Sequence, residues 1–291
     1  MALAPSALQY AGTLLDTLHE RSGELDLLRG RDDLGGGAGF HGSWGRVIGV
    51  DGEREGRGGI YDQGPTYDYR FYAVQMGADL LHNERNGGHV DHAGLYVAAG
   101  QAKSDVVHYD GLLAGDNYIE GYSLGGYWTH YWPNAAYLDG VVQATWLDAR
   151  SNSSRPLPSL KTDGWGGAVS QEGGTPFGAG SGGWIIEPQA QLVYQSIDMD
   201  DVSGVSARVR FEDATSFAAR LGARAARTWQ RGDATDPRRM SGWAGLSAWH
   251  DFEGEPETEF STETAFVAFP TDIGGTWGEL QVGLTGEVSP N

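Results

Sequence analysis

The chain has 291 residues and a formal net charge of -19. Because phosphate binding needs clustered lysine and arginine, this charge argues against a nucleic-acid partner. The sequence contains no cysteine, which excludes disulfides and thiolate metal sites. Its 46 glycines and 11% aromatic residues fit neither a disordered chain nor a helical bundle. It also lacks the run of about 18 apolar residues that a transmembrane helix needs.

The first 24 residues carry a pattern typical of an α-helix. Apolar residues recur there at helical spacing, at Leu8, Ala11, Leu15 and Leu18. Ser6 is predicted to cap the N-terminus of this helix, and Gly23 is predicted to end it. We therefore expect a helix over about residues 6–22, followed by a glycine-rich joint at 35–39.

From about residue 41 the apolar period changes from 3.6 to 2, which is the period of a half-buried β-strand. The clearest alternation sets Trp184, Ile186 and Leu192 against Glu187, Gln189 and Gln191. Alternating runs lie near residues 42–50, 71–80, 92–103, 118–131, 138–146, 163–173, 184–195, 220–225, 241–252 and 279–285. We therefore predict about ten strands in an all-β fold.

The lengths of these runs and of their connections favour a membrane barrel. Many runs have about nine to thirteen residues, close to the roughly nine to eleven that a tilted membrane strand needs and longer than the usual five or six. Long and short connections alternate along the chain, which is typical of a transmembrane antiparallel up-and-down barrel. Aromatic residues lie toward the ends of the apolar faces, at Trp128, Trp146, Trp184, Tyr194 and Trp229. On the pattern alone, a soluble barrel or a β-helix stays open.

The alternation also divides the strand residues between a polar lumen and lipid. The polar residues predicted to face the lumen are Gln75, Asp79, Asp139, Gln143, Glu172, Glu187, Gln189, Gln191, Arg220, Arg224, Glu279 and Gln281. The residues predicted to face lipid are Val74, Met76, Leu80, Val142, Trp146, Ile186, Leu192, Leu221, Leu280, Val282 and Leu284. We expect Arg220 and Arg224 to pair with Glu187, Asp139 or Glu172.

Seven short segments resemble the autotransporter β-domain, the translocator of type V secretion, in both order and spacing. They are residues 14–21, 75–80, 121–129, 137–140, 187–192, 220–224 and 275–280. The resemblance covers nearly the whole chain. It implies an outer-membrane barrel of about twelve strands with the N-terminal α-helix in its lumen. The domain division would then be a linker with the luminal helix over residues 1–40 and the translocator barrel over residues 41–291.

The resemblance also implies a function, a location and partners. A domain of this kind supports secretion of an N-terminal passenger to the surface of a Gram-negative bacterium. It resides in the cell outer membrane. The implied partners are outer-membrane lipid, the barrel-assembly machinery and the chain's own passenger, and the barrel is expected to be a monomer without a cofactor. Members of the family usually continue past the segment at 275–280 with two more strands. We therefore expect this chain, which ends at Ser289-Pro290-Asn291, to be a C-terminally truncated piece of a longer precursor.

No catalytic site is predicted. The first alternative function is that of a general outer-membrane porin or channel, and the second, less favoured one is that of a membrane-barrel hydrolase. A porin would have no helix in its lumen. A hydrolase would need a histidine beside a serine, but the eight histidines are scattered without a supporting motif. Some family members cleave themselves at an asparagine near the junction. Residues 1–24 contain no asparagine, so this reaction is not expected.

Three further patterns have simple structural explanations. Four residues that could bind a metal ion surround one short connection: His82, His89, Asp91 and His92. We favour a solvated turn there and predict no metal site. A G-x-G-x-x-G spacing occurs at Gly178, Gly180 and Gly183. Because a strand follows it where a dinucleotide site needs a helix, we expect a hairpin. The acidic segments at 197–213 and 253–273 are expected to be solvated loops.

Overall fold

The structure, a computed structural model, describes residues 2–15, 17–22, 37–55, 66–108, 110–179, 182–203, 208–231, 238–253, 256–272 and 274–286. Six features predicted from the sequence lie outside these residues, wholly or in part. They are the helix end at Gly23, the first part of the glycine-rich joint, Gly180, parts of the two acidic segments at 197–213 and 253–273, and the terminal Ser289-Pro290-Asn291.

The N-terminal segment forms two helices, α1 (Leu3–Leu15) and α2 (Leu18–Ser22), where a single helix over 6–22 was expected. Ser6 is not an N-cap, because it lies inside α1 and its Oγ donates to the Ala2 carbonyl at 2.7 Å. The second helix begins with a capping box: Glu20 N–H reaches Thr17 Oγ1 at 3.4 Å, and Thr17 N–H reaches Glu20 Oε2 at 3.3 Å. Among the described residues, neither helix is long and apolar enough to cross a membrane.

The strands of the described chain are β1 (Gly37–Glu55), β2 (Thr66–Arg85), β3 (His89–Val107), β4 (Leu113–Tyr131), β5 (Tyr137–Ser153), β6 (Leu160–Gly174), β7 (Phe177–Ala179), β8 (Trp184–Met199), β9 (Val202–Ser203), β10 (Arg208–Phe211), β11 (Ala214–Arg231), β12 (Arg238–Asp251), β13 (Glu257–Ser261), β14 (Phe266–Pro270) and β15 (Gly275–Gly286). Ten long strands form one antiparallel sheet in the order β1-β2-β3-β4-β5-β6-β8-β11-β12-β15, in agreement with the ten strands predicted from the sequence. The short β7 pairs with β8.

The connections divide the sheet into two ends. At one end, which we call the turn end, the tight connections 86–88 and 132–136 join β2 to β3 and β4 to β5. At the other, the loop end, the long connections 200–213 and 252–274 join β8 to β11 and β12 to β15. Because neighbouring strands in the order are antiparallel and mostly consecutive in the chain, this is an up-and-down topology.

The sheet curls around α1. This helix contacts strands from both halves of the sheet, among them β2, β3, β5, β6, β8 and β11. Its apolar side chains are buried at Leu3, Leu8 and Leu14, and they pack against strand residues such as Tyr69 and Phe71. Burial of apolar surface is the main favourable term in such packing, so the core of the molecule lies between the helix and the inner face of the sheet.

Solvated loops were expected at the two acidic connections of the loop end, but their described parts contain a second sheet in the order β14-β13-β10-β9. Val209 and Phe211 on β10 are buried in the same core cluster as Ala2 and Leu3. We call these four strands the loop sheet. It lies against the first residues of α1 at the loop end.

The long sheet ends at β1 and β15, and within the described residues each of these strands pairs on one side only. The two edges approach each other at the loop end, where the guanidinium carbon of Arg54 on β1 lies 5.6 Å from the centroid of the Trp277 ring on β15.

Candidate functional site

The candidate site is the inner face of the curled sheet, where the two helices dock. Nine of the twelve polar residues predicted for the lumen are buried there, with exposed fractions of 8% or less: Gln75, Asp139, Gln143, Glu172, Glu187, Gln189, Gln191, Arg220 and Arg224. The other three, Asp79, Glu279 and Gln281, are half-buried. All eleven residues predicted to face lipid are exposed, from 38% at Ile186 to 74% at Leu280 and Val282.

The C-terminal end of α1 is held through its backbone carbonyls. Arg46 Nη2 and Gln75 Nε2 both donate to the Leu14 carbonyl at 3.1 Å, and Gln143 Nε2 donates to the Ala11 carbonyl at 3.2 Å. The last four carbonyls of a helix lack partners within the helix. Leu14 is one of these last four residues of α1, and the sheet supplies two donors to its carbonyl.

The first part of α1 is fixed at the other end of the interior. Ser6 Oγ lies 3.4 Å from Ser104 Oγ near the end of β3, and the Tyr10 hydroxyl donates to the Gly121 carbonyl at 2.7 Å. A Cβ on Gly121 would lie 2.8 Å from the Tyr10 ring. The absence of a side chain at Gly121 therefore leaves the space that the Tyr10 ring occupies beside β4.

Arg21 on α2 forms a buried ion pair with Asp139 on β5. Its Nη2 and Nη1 lie 2.6 and 3.1 Å from the two carboxylate oxygens, and both side chains are at most 3% exposed. Thr129 Oγ1 donates to the same carboxylate at 2.5 Å, and the guanidinium carbon lies 4.5 Å from the Tyr127 ring centroid. Two parallel charge-assisted hydrogen bonds fix the orientation of α2 as well as its position.

Glu172 on β6 connects the wall to the start of α2. It accepts the Leu18 backbone N–H at 2.9 Å and the Tyr137 hydroxyl at 2.6 Å, while Arg220 Nη2 lies 3.2 Å from its Oε1. Negative charge is favourable near the N-terminus of a helix. Of the three carboxylates expected to pair with Arg220, the structure selects Glu172. The guanidinium of Arg224 lies over the Trp243 ring, 5.1 Å from its centroid.

Further contacts of α2 reach β8 and β15. His19 Nε2 lies 2.6 Å from Glu187 Oε1, which also accepts Gln189 Nε2 at 2.8 Å. Gln281 Nε2 donates to Glu20 Oε1 at 2.8 Å. The short helix is therefore bound to strands that are far apart in the sequence, including the last strand of the sheet.

Sequence reasoning missed His19, Glu20 and Arg21 on α2, and it missed Arg46, Thr129 and Tyr137 on the sheet. Thr129 and Tyr137 lie on the buried side of β4 and β5, so a stricter use of the period-2 pattern would have placed both inside. Arg46 falls in one of the less regular alternating runs, near 42–50, and only the contact with Leu14 reveals its role.

Comparisons with known proteins agree with this architecture. A family model described as Autotransporter beta-domain matches residues 43–291. The chain is 31% identical over 208 residues to the adhesin BmaC autotransporter of Brucella suis, covering 66% of this chain and 6% of that protein. It is 29% identical to the uncharacterized protein YdeU of Escherichia coli, covering 70% of this chain and 45% of that protein. The chain thus spans less than half the length of these relatives.

Two solved structures have a similar fold. The transport unit of the Escherichia coli autotransporter AIDA-I is 16% identical with a TM-score of 0.71, over 97% of this chain and 86% of that chain. The β-domain of the Bordetella autotransporter BrkA is 21% identical with a TM-score of 0.58, over 84% of this chain and 97% of that chain. At these identities the likeness concerns the fold alone.

Proposed function

Because the chain belongs to the autotransporter β-domain family, we propose that it is an outer-membrane translocator domain that supports secretion of a passenger joined to the N-terminal side of α1. The observation that carries this proposal is the path of the chain. The helical segment starts at the loop end beneath the loop sheet and runs through the interior to the turn end. Outer-membrane barrels have long extracellular loops and short periplasmic turns. A segment preceding α1 would therefore emerge at the cell surface.

The two faces of the sheet support a position in the outer membrane of a Gram-negative bacterium. In this proposal the buried polar face lines a lumen occupied by α1 and α2, and the exposed apolar face contacts lipid. Lipid offers no partner to a polar backbone group, so a sheet that closes into a barrel is one of the few structures that can cross it. The boundary between linker and barrel would fall near residue 40, close to the start of β1 at Gly37.

The docked helices support a channel that closes after use. Arg21, His19 and Leu18 contact Asp139, Glu187 and Glu172 deep in the interior. Removing one partner from a buried ion pair is costly, because it leaves an uncompensated charge. We infer that these contacts retain the helices as a plug. A general porin was expected to have no helix in the lumen, so the position of α1 favours the translocator over that alternative.

The proposal includes a secretion channel without enzymatic activity, a monomeric barrel, and assembly by the barrel-assembly machinery. The inner carboxylates support the first of these, because Asp139, Glu172 and Glu187 each accept hydrogen bonds from α2 or the wall. Groups engaged in this way act as structural partners.

Conductance in planar lipid bilayers tests the plug. A variant lacking residues 2–22 should conduct more than the full chain, and replacing Arg70, an exposed side chain that pairs with Asp105 outside the helix site, should leave conductance unchanged. Equal conductance with and without the helices would contradict a plug and favour an open porin.

Surface exposure of the passenger position tests secretion. A reporter fused before residue 2 should be cleaved by protease added to whole cells, and protection of that reporter would contradict secretion.

A further inference from the structure

Histidine and aspartate side chains meet at the turn end of β3 and β4. His89 and Asp91 lie at the start of β3, and His130 lies near the end of β4. Asp91 and His130 are direct register partners between the two strands. Because cross-strand partners project from the same face of a sheet, these side chains are neighbours despite their separation in the sequence.

Asp91 determines which nitrogen of His130 is available. Its side chain is 3% exposed, its Oδ1 lies 2.8 Å from His130 Nδ1, and Arg85 Nε lies 2.8 Å from its Oδ2. A carboxylate at this position accepts the Nδ1–H and fixes the ring tautomer, which leaves the lone pair on Nε2. Metal-binding histidines use this arrangement to orient the ring and to make the ligand nitrogen more basic.

The available nitrogen of His130 faces a second imidazole nitrogen. His130 Nε2 lies 3.2 Å from His89 Nδ1. Two imidazole ligands at about 2.0–2.1 Å from a tetrahedral Zn²⁺ ion have nitrogens about 3.3 Å apart. The two nitrogens are therefore already about as far apart as such an ion requires. Imidazole nitrogen is also a preferred ligand of zinc, copper and nickel ions.

We propose that His89 and His130 form a binding site for a borderline divalent cation of the Zn²⁺ class, with Asp91 as the residue that positions His130. In the ion-free protein the same atoms form a hydrogen-bonded chain from Asp91 through His130 to His89. On binding, His89 carries its proton on Nε2, and water occupies the remaining positions of the ion.

The structure separates residues that the sequence grouped together. His82 and His92, which surround the same connection, contact each other through their Nδ1 atoms at 3.4 Å, and His92 packs against Tyr131, a buried residue of the interior. Neither takes part in the proposed site. His130, which completes the site, is 41 residues from His89, so proximity in the sequence gave no reason to include it.

Calorimetric titration of the refolded protein with Zn²⁺ in detergent tests the site. We expect saturable binding of one ion that is lost in His89→Ala and in His130→Ala. Asp91→Asn should weaken it by about 10- to 100-fold, the usual effect of removing a carboxylate behind a ligating histidine. The control is His250→Ala, which removes an exposed histidine on β12 that contacts Thr276 and should bind as the wild type does.

The variants must first show the same β-sheet circular dichroism spectrum as the parent, so that a loss of binding is not a loss of fold. His89 is half-buried and is the first residue of its strand, so we expect His89→Ala to fold. This variant can therefore test the site even if His130→Ala or Asp91→Asn fails to fold. Absence of saturable binding in the parent, or unchanged binding in His89→Ala, would overturn the proposal. So would binding that is lost only in His82→Ala.

Discussion

At Asp139 a single carboxylate controls how firmly α2 is held. Asp139→Asn removes the charge that compensates Arg21 and leaves the guanidinium buried, so unfolding in detergent should become easier by about 3–5 kcal/mol. The loosened plug should also conduct more in planar bilayers. The matched control is Asp105→Asn, which breaks the exposed pair with Arg70 and should cost about 1 kcal/mol or less. Equal effects of the two variants would contradict the role given to Asp139.

On the opposite face, Leu192 is 49% exposed and offers a direct test of the lipid-facing surface. Leu192→Arg should impair insertion into lipid by about 2–4 kcal/mol, the cost of an arginine near the bilayer midplane. The inserted fraction can be measured as the protein that floats with vesicles and resists an alkaline wash after refolding. Leu157→Arg, at an exposed position of the connection between β5 and β6, should insert normally. If both variants insert equally well, the assignment of faces is wrong.

The pattern of residues predicted which side chains enter the interior but not how they pair. A period of 2 is enough to place Asp139, Glu172 and Arg220 inside. The choice of Glu172 as the partner of Arg220 depends on the side-by-side order of β6, β8 and β11 and on their register. The alternation within one strand reveals neither the order of the strands nor their register. It also gives no information on the position of α2.

Strand packing depends on rings that lie over glycines of neighbouring strands. The clearest case is Gly125 on β4, where an added Cβ would collide with the ring of Tyr96 on β3. The same relation joins Trp44 to Gly77, Tyr137 to Gly174 and Trp243 to Gly283. We expect Gly125→Ala to lower stability by about 1–3 kcal/mol, as overpacking does.

The control for Gly125→Ala is Gly52→Ala on β1, where nothing lies within 4 Å of the added Cβ. Thermal melting in detergent should separate the two variants. A melting temperature for Gly125→Ala equal to that of Gly52→Ala would show that Tyr96 moves aside at no cost.

The ten long strands were predictable and the loop sheet was not. A membrane strand is long enough for its alternation to stand out, whereas β10 has 4 residues and β13 has 5. These two short strands pair with each other although they come from different connections. Acidic residues lie on β13, at Glu257 and Glu259, and beside β10, at Glu212, which made the whole segments resemble solvated loops. The inward positions Val209 and Phe211 of β10 supply the burial.

The loop sheet should respond to pH through Glu257. Partial burial, and then repulsion from Glu212 and Glu259, raise the pKa of the Glu257 carboxyl above its ordinary value. A raised pKa means that the folded sheet binds its proton more tightly than the unfolded chain does. The contribution of this group to stability is therefore present below the ordinary glutamate pKa and is lost as the pH rises through the raised value.

We accordingly expect Glu257→Gln to melt at a higher temperature than the parent at pH 7 and at the same temperature near pH 4. Glu263→Gln, at an exposed position of the connection between β13 and β14, should give no such difference at either pH. A Glu257→Gln variant that is less stable than the parent at pH 7 would show that the carboxylate makes a favourable contact which outweighs the repulsion.

For the whole molecule, the decisive feature is the pair of edges at β1 and β15. Within the described residues each edge strand leaves one side without a strand partner. A row of unpaired backbone groups is costly in lipid, because no water is present to bind them. The contact of Arg54 with Trp277 draws the edges together at the loop end through side chains, but it supplies no backbone hydrogen bonds.

We therefore predict that adding two antiparallel amphipathic strands after β15 completes the barrel. After refolding into detergent or lipid, the extended chain should migrate on a gel as a compact, heat-sensitive species, and the chain of 291 residues should not. An extension of equal length with shuffled alternation is the control, since it adds mass without a lipid-facing side. If the unextended chain is already compact and heat-sensitive, its ten long strands close without help. If neither chain is, and both stay soluble without detergent, the assignment to a membrane is wrong.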